Sequence, residues 1–246
     1  MASAQTSPMR GRLQVFPDVE ALARSAADLI CARAAASDGP FVVALSGGST
    51  PKPVYENLAR EPWRNSLPWS RVHWCLGDER FVPVTDPQSN FGMIRAALLD
   101  HVPAPAANIH PIQTEGTTPD GTAAAYGHTL EALRRPDGIL FDINLLGMGD
   151  DGHTASLLPG EPVLSVTDRL AAPVPHGREN IRITLTYPAL NASRLAVFLV
   201  AGAGKRAMLE KILAGEAAVP AAAVRPVGEL LWFADRAAAG DRANQA

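Results

Sequence analysis

Apolar positions along the chain follow two spacings in turn. Between Asp18 and Ala36, Val19, Leu22, Ala23, Ala26, Leu29 and Ile30 recur at helical intervals, with Asp18 placed as the N-cap. Pro40 then introduces Phe41-Val42-Val43-Ala44-Leu45, a continuous apolar run of the kind that forms a strand buried on both faces of a parallel sheet. Ser46-Gly47-Gly48-Ser49-Thr50 follows at once, and Pro51 is suited to open a helix ending near Ala59. The strand–loop–helix unit recurs. Val72 to Leu76 reads as a strand, Gly77 to Gln88 as a long loop and Ser89 to about Asp100 as a helix. A helix near Thr122 to Arg134 precedes a buried strand over Ile139 to Leu146. Leu195 to Val200 reads as a further strand, with a Gly202/Gly204 turn and a helix through Leu213 behind it, and Leu230 to Phe233 as the last.

Strands alternating with helices predict an α/β fold, a doubly wound and mostly parallel sheet with helices on both faces. Residues 1–12 read as a flexible polar tail and 13–246 as a single α/β domain. The turn-rich stretch from Val102 to Pro119 is short enough to be a connection within it.

Composition narrows the partners. Apolar residues make up 47% of the chain, enough for a sizeable core, and the net charge of −3 leaves no electrostatic footprint for nucleic acid or an anionic membrane. An anionic ligand must therefore be held by local geometry and a few placed cations. Met1 to Arg12 has no apolar signal region, and no run approaches the roughly 18 apolar residues of a membrane span, so the cytoplasm is the expected compartment. Cys31 and Cys75 lie far apart in apolar surroundings and are expected to be buried free thiols. No metal-ligand spacing is present, and neither metal nor cofactor is expected.

In doubly wound folds chemistry gathers in the loops after strand C-termini. Three such loops stand out here. Ser46-Gly47-Gly48-Ser49-Thr50 joins two glycines to three hydroxyls at a strand–helix junction, where backbone N–H groups and the positive end of the helix dipole suit a phosphate. In Gly77-Asp78-Glu79-Arg80 the carboxylates could take sugar hydroxyls, and the guanidinium a phosphate or a developing oxyanion. Gly147-Met148-Gly149-Asp150-Asp151-Gly152-His153-Thr154 matches the dinucleotide pattern G-x-G-x-x-G, but two aspartates inside the turn would repel a pyrophosphate. The loop offers instead His153 beside Asp151: an imidazole that titrates near neutrality and a carboxylate to orient it or to stabilise its protonated form. Arg182 and Lys205 add two placed cations. Ala203-Gly204-Lys205 is not a nucleotide P-loop, because position 199 is Leu and Arg206 stands where Ser or Thr is needed. The chain also lacks a G-x-S-x-G elbow and an H-E-x-x-H helix, which disfavours a covalent serine hydrolase and a zinc hydrolase.

In this order, with Ser89-Asn90-Phe91, Ala155-Ser156-Leu157-Leu158-Pro159 and Arg182-Ile183-Thr184-Leu185-Thr186, these segments resemble the 6-phosphogluconolactonase family, related in fold to glucosamine-6-phosphate deaminase. The likeness runs from about Val42 to Asp235. It implies that Ser46, Gly47, Gly48, Ser49 and Thr50 hold a 6-phosphate with help from Arg182 and Lys205, and that His153 is the base. Arg80 and Asp151 would line the lactone, with Asp78 as a further binding residue. The implied reaction is hydrolysis of 6-phospho-D-glucono-1,5-lactone to 6-phosphogluconate, in the oxidative pentose phosphate pathway. How Arg80, Arg182 and Lys205 divide phosphate and carbonyl is left open at this level. Two alternatives stand beside it, an amino-sugar phosphate deaminase and a non-catalytic sugar-phosphate sensor. The deaminase relatives carry an acid where this chain has Leu158 and an aromatic where it has Arg80; a sensor would need a DNA-binding domain, for which the segment before Leu13 is too short.

Overall fold

The apolar runs become the middle of one sheet. The computed structural model describes residues 11–176 and 178–242. Its strands are β1 (Arg12–Phe16), β2 (Phe41–Leu45), β3 (Val72–Leu76), β4 (Asp78–Arg80), β5 (Ile109–His110), β6 (Ile143–Gly147), β7 (Ala171–Val174), β8 (Arg182–Leu185), β9 (Leu195–Val200) and β10 (Glu229–Asp235). The helices are α1 (Val19–Ala35), α2 (Lys52–Leu58), α3 (Trp63–Ser66), α4 (Asn90–Ala97), α5 (Pro119–Leu133), α6 (Tyr187–Asn191), α7 (Arg206–Leu213), α8 (Pro220–Ala223) and α9 (Arg236–Ala239).

Seven strands pair in the order β1-β10-β9-β6-β2-β3-β5, every pair parallel, which bears out the doubly wound reading. All five residues of β2 and all six of β9 are buried, as a strand covered on both faces requires. Phe198 and Trp232 stack face to face within the core, their ring centroids 4.1 Å apart. Asp18 caps α1 as expected, accepting the Ala21 N–H at 2.7 Å, and the helix turns Leu22, Ala23, Ala26, Ala27 and Ile30 inward. Cys31 and Cys75 are buried free thiols, and burial, aided by nearby Asp28, pushes the Cys31 thiol up to about 11.

Three readings change. Asp78–Arg80, expected within a long loop, is β4 of a second, antiparallel sheet ordered β4-β8-β7. Its partner lies about a hundred residues downstream, so nothing local announces the pairing. The strand expected over Ile139–Leu146 is regular only from Ile143, because the Asp142 carboxylate takes the Val42 N–H at 2.8 Å and the Arg135 guanidinium at 2.6 Å. β1 was not anticipated. Arg12, counted with the tail, opens it, while residues 1–10 of that expected tail lie outside the described residues. Among the described residues no helix is long and apolar enough to cross a membrane.

Candidate active site

Strand order reverses between β2 and β6, and at such a switch point the loops leaving neighbouring strands diverge and open a crevice. The loops after β2 and β6 border a cleft of about 300 Å³, joined by Lys205 after β9 and by Arg80 and Arg182 from the second sheet. The small sheet is tied to the large one at this point. The Gly77 N–H donates to the Leu45 carbonyl at 2.8 Å, and the Gly77 carbonyl accepts the Leu185 N–H at 2.9 Å. Buried Tyr55 clasps the start of the first loop: its hydroxyl donates to the Ser46 carbonyl at 2.6 Å and accepts the Ser46 N–H at 2.9 Å. A larger groove of about 740 Å³ runs along α5 past Asp168 and Arg169, but its charges alternate in sign and those two neutralise each other at 3.0 Å. It offers no concentrated field, so the smaller cleft is the candidate site.

Ser46, Gly47, Gly48, Ser49, Thr50, Asp78, Arg80, His153, Arg182 and Lys205 all line that cleft. Arg80 and Arg182 stand directly opposite each other across the β4–β8 pair. Like charges in such a pair repel, and an anion between them removes the repulsion. Burial first, then the charge of Arg80, lowers the Arg182 pKa, with Asp78 opposing. The Arg80 Nε is a buried donor without a protein partner, and its Nη1 donates to the Gln88 carbonyl at 2.6 Å. Lys205 meets Asp150 at 2.5 Å.

His153 is held from behind. Its Nδ1 lies 2.6 Å from Asp151 Oδ1, which also accepts the His153 N–H at 3.1 Å, while Asp151 Oδ2 accepts from Arg178 at 2.7 Å. A carboxylate accepts only, so Nδ1 carries the proton and the Nε2 lone pair is left for chemistry. Gly149 makes this turn possible, since a Cβ there would come within 2.0 Å of the His153 ring. Two residues further on, Ala155 holds a left-handed φ of 47°, a cost of about 1 kcal/mol that the surrounding packing absorbs.

Two sequence expectations need restating. Asp151 is not among the residues lining the cleft; it works behind His153. Glu79 is not available to a sugar hydroxyl. Only 1% exposed, it accepts the N–H groups of Arg80, Asn90 and Phe91 and the Ser89 hydroxyl, fastening α4 to β4. Asp78 is buried and braced, one oxygen accepting from Ser156 at 2.6 Å and its own carbonyl and the other oxygen facing the Asn90 amide. Asn90, Ser156 and Arg178 were not assigned roles from the sequence. Asn90 also explains Gly47, where a Cβ would approach the Asn90 Oδ1 to 1.9 Å. Within Ser89-Asn90-Phe91 and Ala155-Ser156-Leu157 two of these lay in segments already singled out, but their role is set by contacts across 12 and 78 residues of chain.

Known proteins resemble this chain in sequence and in fold. A 6-phosphogluconolactonase from Nostoc sp. is 43% identical over 242 residues, covering 95% of this chain and 99% of the relative. The crystal structure of 6-phosphogluconolactonase from Thermotoga maritima superposes with a TM-score of 0.79 at 31% identity, covering 91% of this chain and 99% of that one. A monomeric glucosamine-6-phosphate deaminase superposes with a TM-score of 0.81 at 20% identity over 94% of this chain and all of its own, a likeness of fold alone. The family model described as glucosamine-6-phosphate isomerases/6-phosphogluconolactonase matches residues 17–232. With the match taking in the second sheet, all of the large sheet but β1 and the end of β10, and every loop that borders the cleft, the chain belongs to the glucosamine-6-phosphate isomerase/6-phosphogluconolactonase family.

Proposed function

We propose that the protein is a 6-phosphogluconolactonase, hydrolysing 6-phospho-D-glucono-1,5-lactone to 6-phosphogluconate, with His153 as the general base. The observation that carries this reading is one cleft that holds both an anion cradle and an imidazole whose Nδ1 is committed to a carboxylate. The names of the closely similar relatives support the substrate class.

The Ser46–Thr50 loop, Lys205 and the arginine pair offer donors and positive charge to a phosphate, which anchors the substrate and positions the lactone C1 carbonyl. Water attacks C1 as His153 Nε2 takes its proton, and the electron pair of the carbonyl moves to oxygen. Arg80 or the loop N–H groups steady that oxyanion. The tetrahedral centre then collapses, the C1–ring oxygen bond breaks, and His153 returns the proton to the departing ring oxygen. Asp151 stabilises the imidazolium between the two transfers. Among the described residues lining the cleft Asp78 is the one carboxylate, and it is braced by Ser156 and Asn90. A deaminase needs further acid–base groups to open and isomerise its sugar, so the lactonase is the better fit.

The test is to generate the lactone in situ and follow its loss against spontaneous hydrolysis, with His153→Ala alongside the wild type. Loss of about 10²–10⁴-fold in the variant's acceleration is expected. Full activity in His153→Ala would move the base elsewhere, and a wild type no faster than background would sink the lactonase reading.

A further inference from the structure

The loop between β6 and His153 carries two adjacent aspartates, and the structure gives them different work. Asp151 has both oxygens engaged, one by His153 and one by Arg178. Asp150 faces the other way, its Oδ1 2.5 Å from Lys205 Nζ. Its side chain is 78% exposed, whereas that of Lys205 is 26% exposed and lines the cleft with Ser46–Thr50. The carboxylate therefore reaches the ammonium from the solvent side, at the rim, without entering the cleft. An ion pair so exposed contributes little to stability. Its field is another matter. A negative charge in contact with the ammonium cancels much of the attraction that a second anion feels from the far side.

We infer that Asp150 is an internal counter-anion that weakens the grip of Lys205 on phosphate, setting the affinity for substrate and product together. This rests on the reading of the cleft as a phosphate cradle. Hydrolysis gives the logic. Opening the lactone adds a carboxylate, so the product carries one more negative charge than the substrate and the same phosphate handle. With Lys205 at full strength beside Arg80 and Arg182, these cations would hold that product at least as firmly as the lactone, and departure would limit turnover. Asp150 offsets one of those cations without occupying the space that the substrate needs. It acts through Lys205, so it is a positioning and affinity-setting residue rather than a catalytic one.

The prediction has a sign that a structural role would reverse. In Asp150→Asn the Kd for inorganic phosphate and the KM for the phosphorylated lactone should fall together, by about three- to tenfold, the effect of removing one charge several ångströms from the bound anion in a partly solvated site. Asp150→Glu, which keeps the charge, should bind phosphate within about twofold of the wild type. If Asp150 merely props Lys205 in place, Asp150→Asn binds phosphate more weakly or unchanged, and the inference is overturned. Lys205→Met separates the two levels. Weaker phosphate binding in Lys205→Met, with no tightening in Asp150→Asn, removes the counter-anion and leaves the cradle standing. Phosphate binding as tight in Lys205→Met as in the wild type removes the cradle reading, and the inference with it.

Discussion

His153 owes its tautomer to Asp151, and Asp151 owes its charge to its neighbours. Partial burial works against the Asp151 carboxylate, but the hydrogen bonds from His153 and the charge of Arg178 outweigh it and hold its pKa below the usual carboxylate value. It therefore keeps its charge and accepts the Nδ1 proton of His153. Asp151→Asn keeps the shape but can turn an amide N–H toward Nδ1, favouring the tautomer with the proton on Nε2. We expect kcat to fall by about 10²-fold or more, with KM changed by less than about threefold because Asp151 does not line the cleft. Steady-state kinetics on in-situ lactone, with a urea unfolding midpoint as control, will test this. A matching loss in KM would place Asp151 against the substrate instead. Much of this dyad could be read from the sequence, because its members stand two positions apart. Arg178 could not, since it lies 27 positions beyond Asp151.

At the level of elements, a three-residue strand carries one of the two arginines that line the cleft. β4 is too short to be stable as a strand by itself, and its pairing with β8 sets Arg80 against Arg182. What anchors its other side is Glu79, which satisfies the first N–H groups of α4 together with Ser89, the N-cap, whose hydroxyl accepts the Gly92 N–H at 3.0 Å. Burial pushes the Glu79 pKa up, opposed by the three backbone N–H groups and the Ser89 hydroxyl, which as donors favour the carboxylate form. Glu79→Ala leaves those donors without an acceptor and should cost about 3 kcal/mol, read as a lower urea midpoint at unchanged slope. A change below about 0.5 kcal/mol would show that water replaces the carboxylate. The sequence presented Glu79 as one of an acidic pair; only the packing of α4 onto β4 separates a bracing glutamate from an aspartate on the cleft wall.

For the molecule as a whole, a net charge of −3 coexists with a cleft lined by Arg80, Arg182 and Lys205, so the positive field is local and built by topology. One edge of the sheet carries a different electrostatic feature. His73 on β3 and His110 on β5 stack with ring nitrogens 3.0 Å apart. Burial lowers the pKa of both, and His73 lowers that of His110 further, from the ordinary 6.5. The unfolded chain therefore binds more protons than the folded one below that value. Stability from this pair is fully present above about pH 6.5 and is lost as pH falls toward the depressed folded values. The melting temperature should drop on acidification from pH 7 to 5.5, and His110→Asn should flatten that slope. Equal slopes in the two proteins would assign the acid sensitivity to carboxylates instead.

Local chemistry determined what could be decided locally. The buried runs at Phe41–Leu45 and Leu195–Val200, the Asp18 cap, and the hydroxyl-rich and histidine-bearing loops are each written within about ten residues, where periodicity, capping and turn propensity act. Tertiary structure decided the rest. It reversed the strand order between β2 and β6, so that the hydroxyl-rich and histidine-bearing loops meet in one cleft. It paired β4 with β8 and gave Glu79, Asn90, Ser156 and Arg178 their partners. Those contacts join residues from 11 to about a hundred positions apart. Their energies depend on burial and on charges brought together by folding, and no local pattern of residues encodes which distant group will arrive.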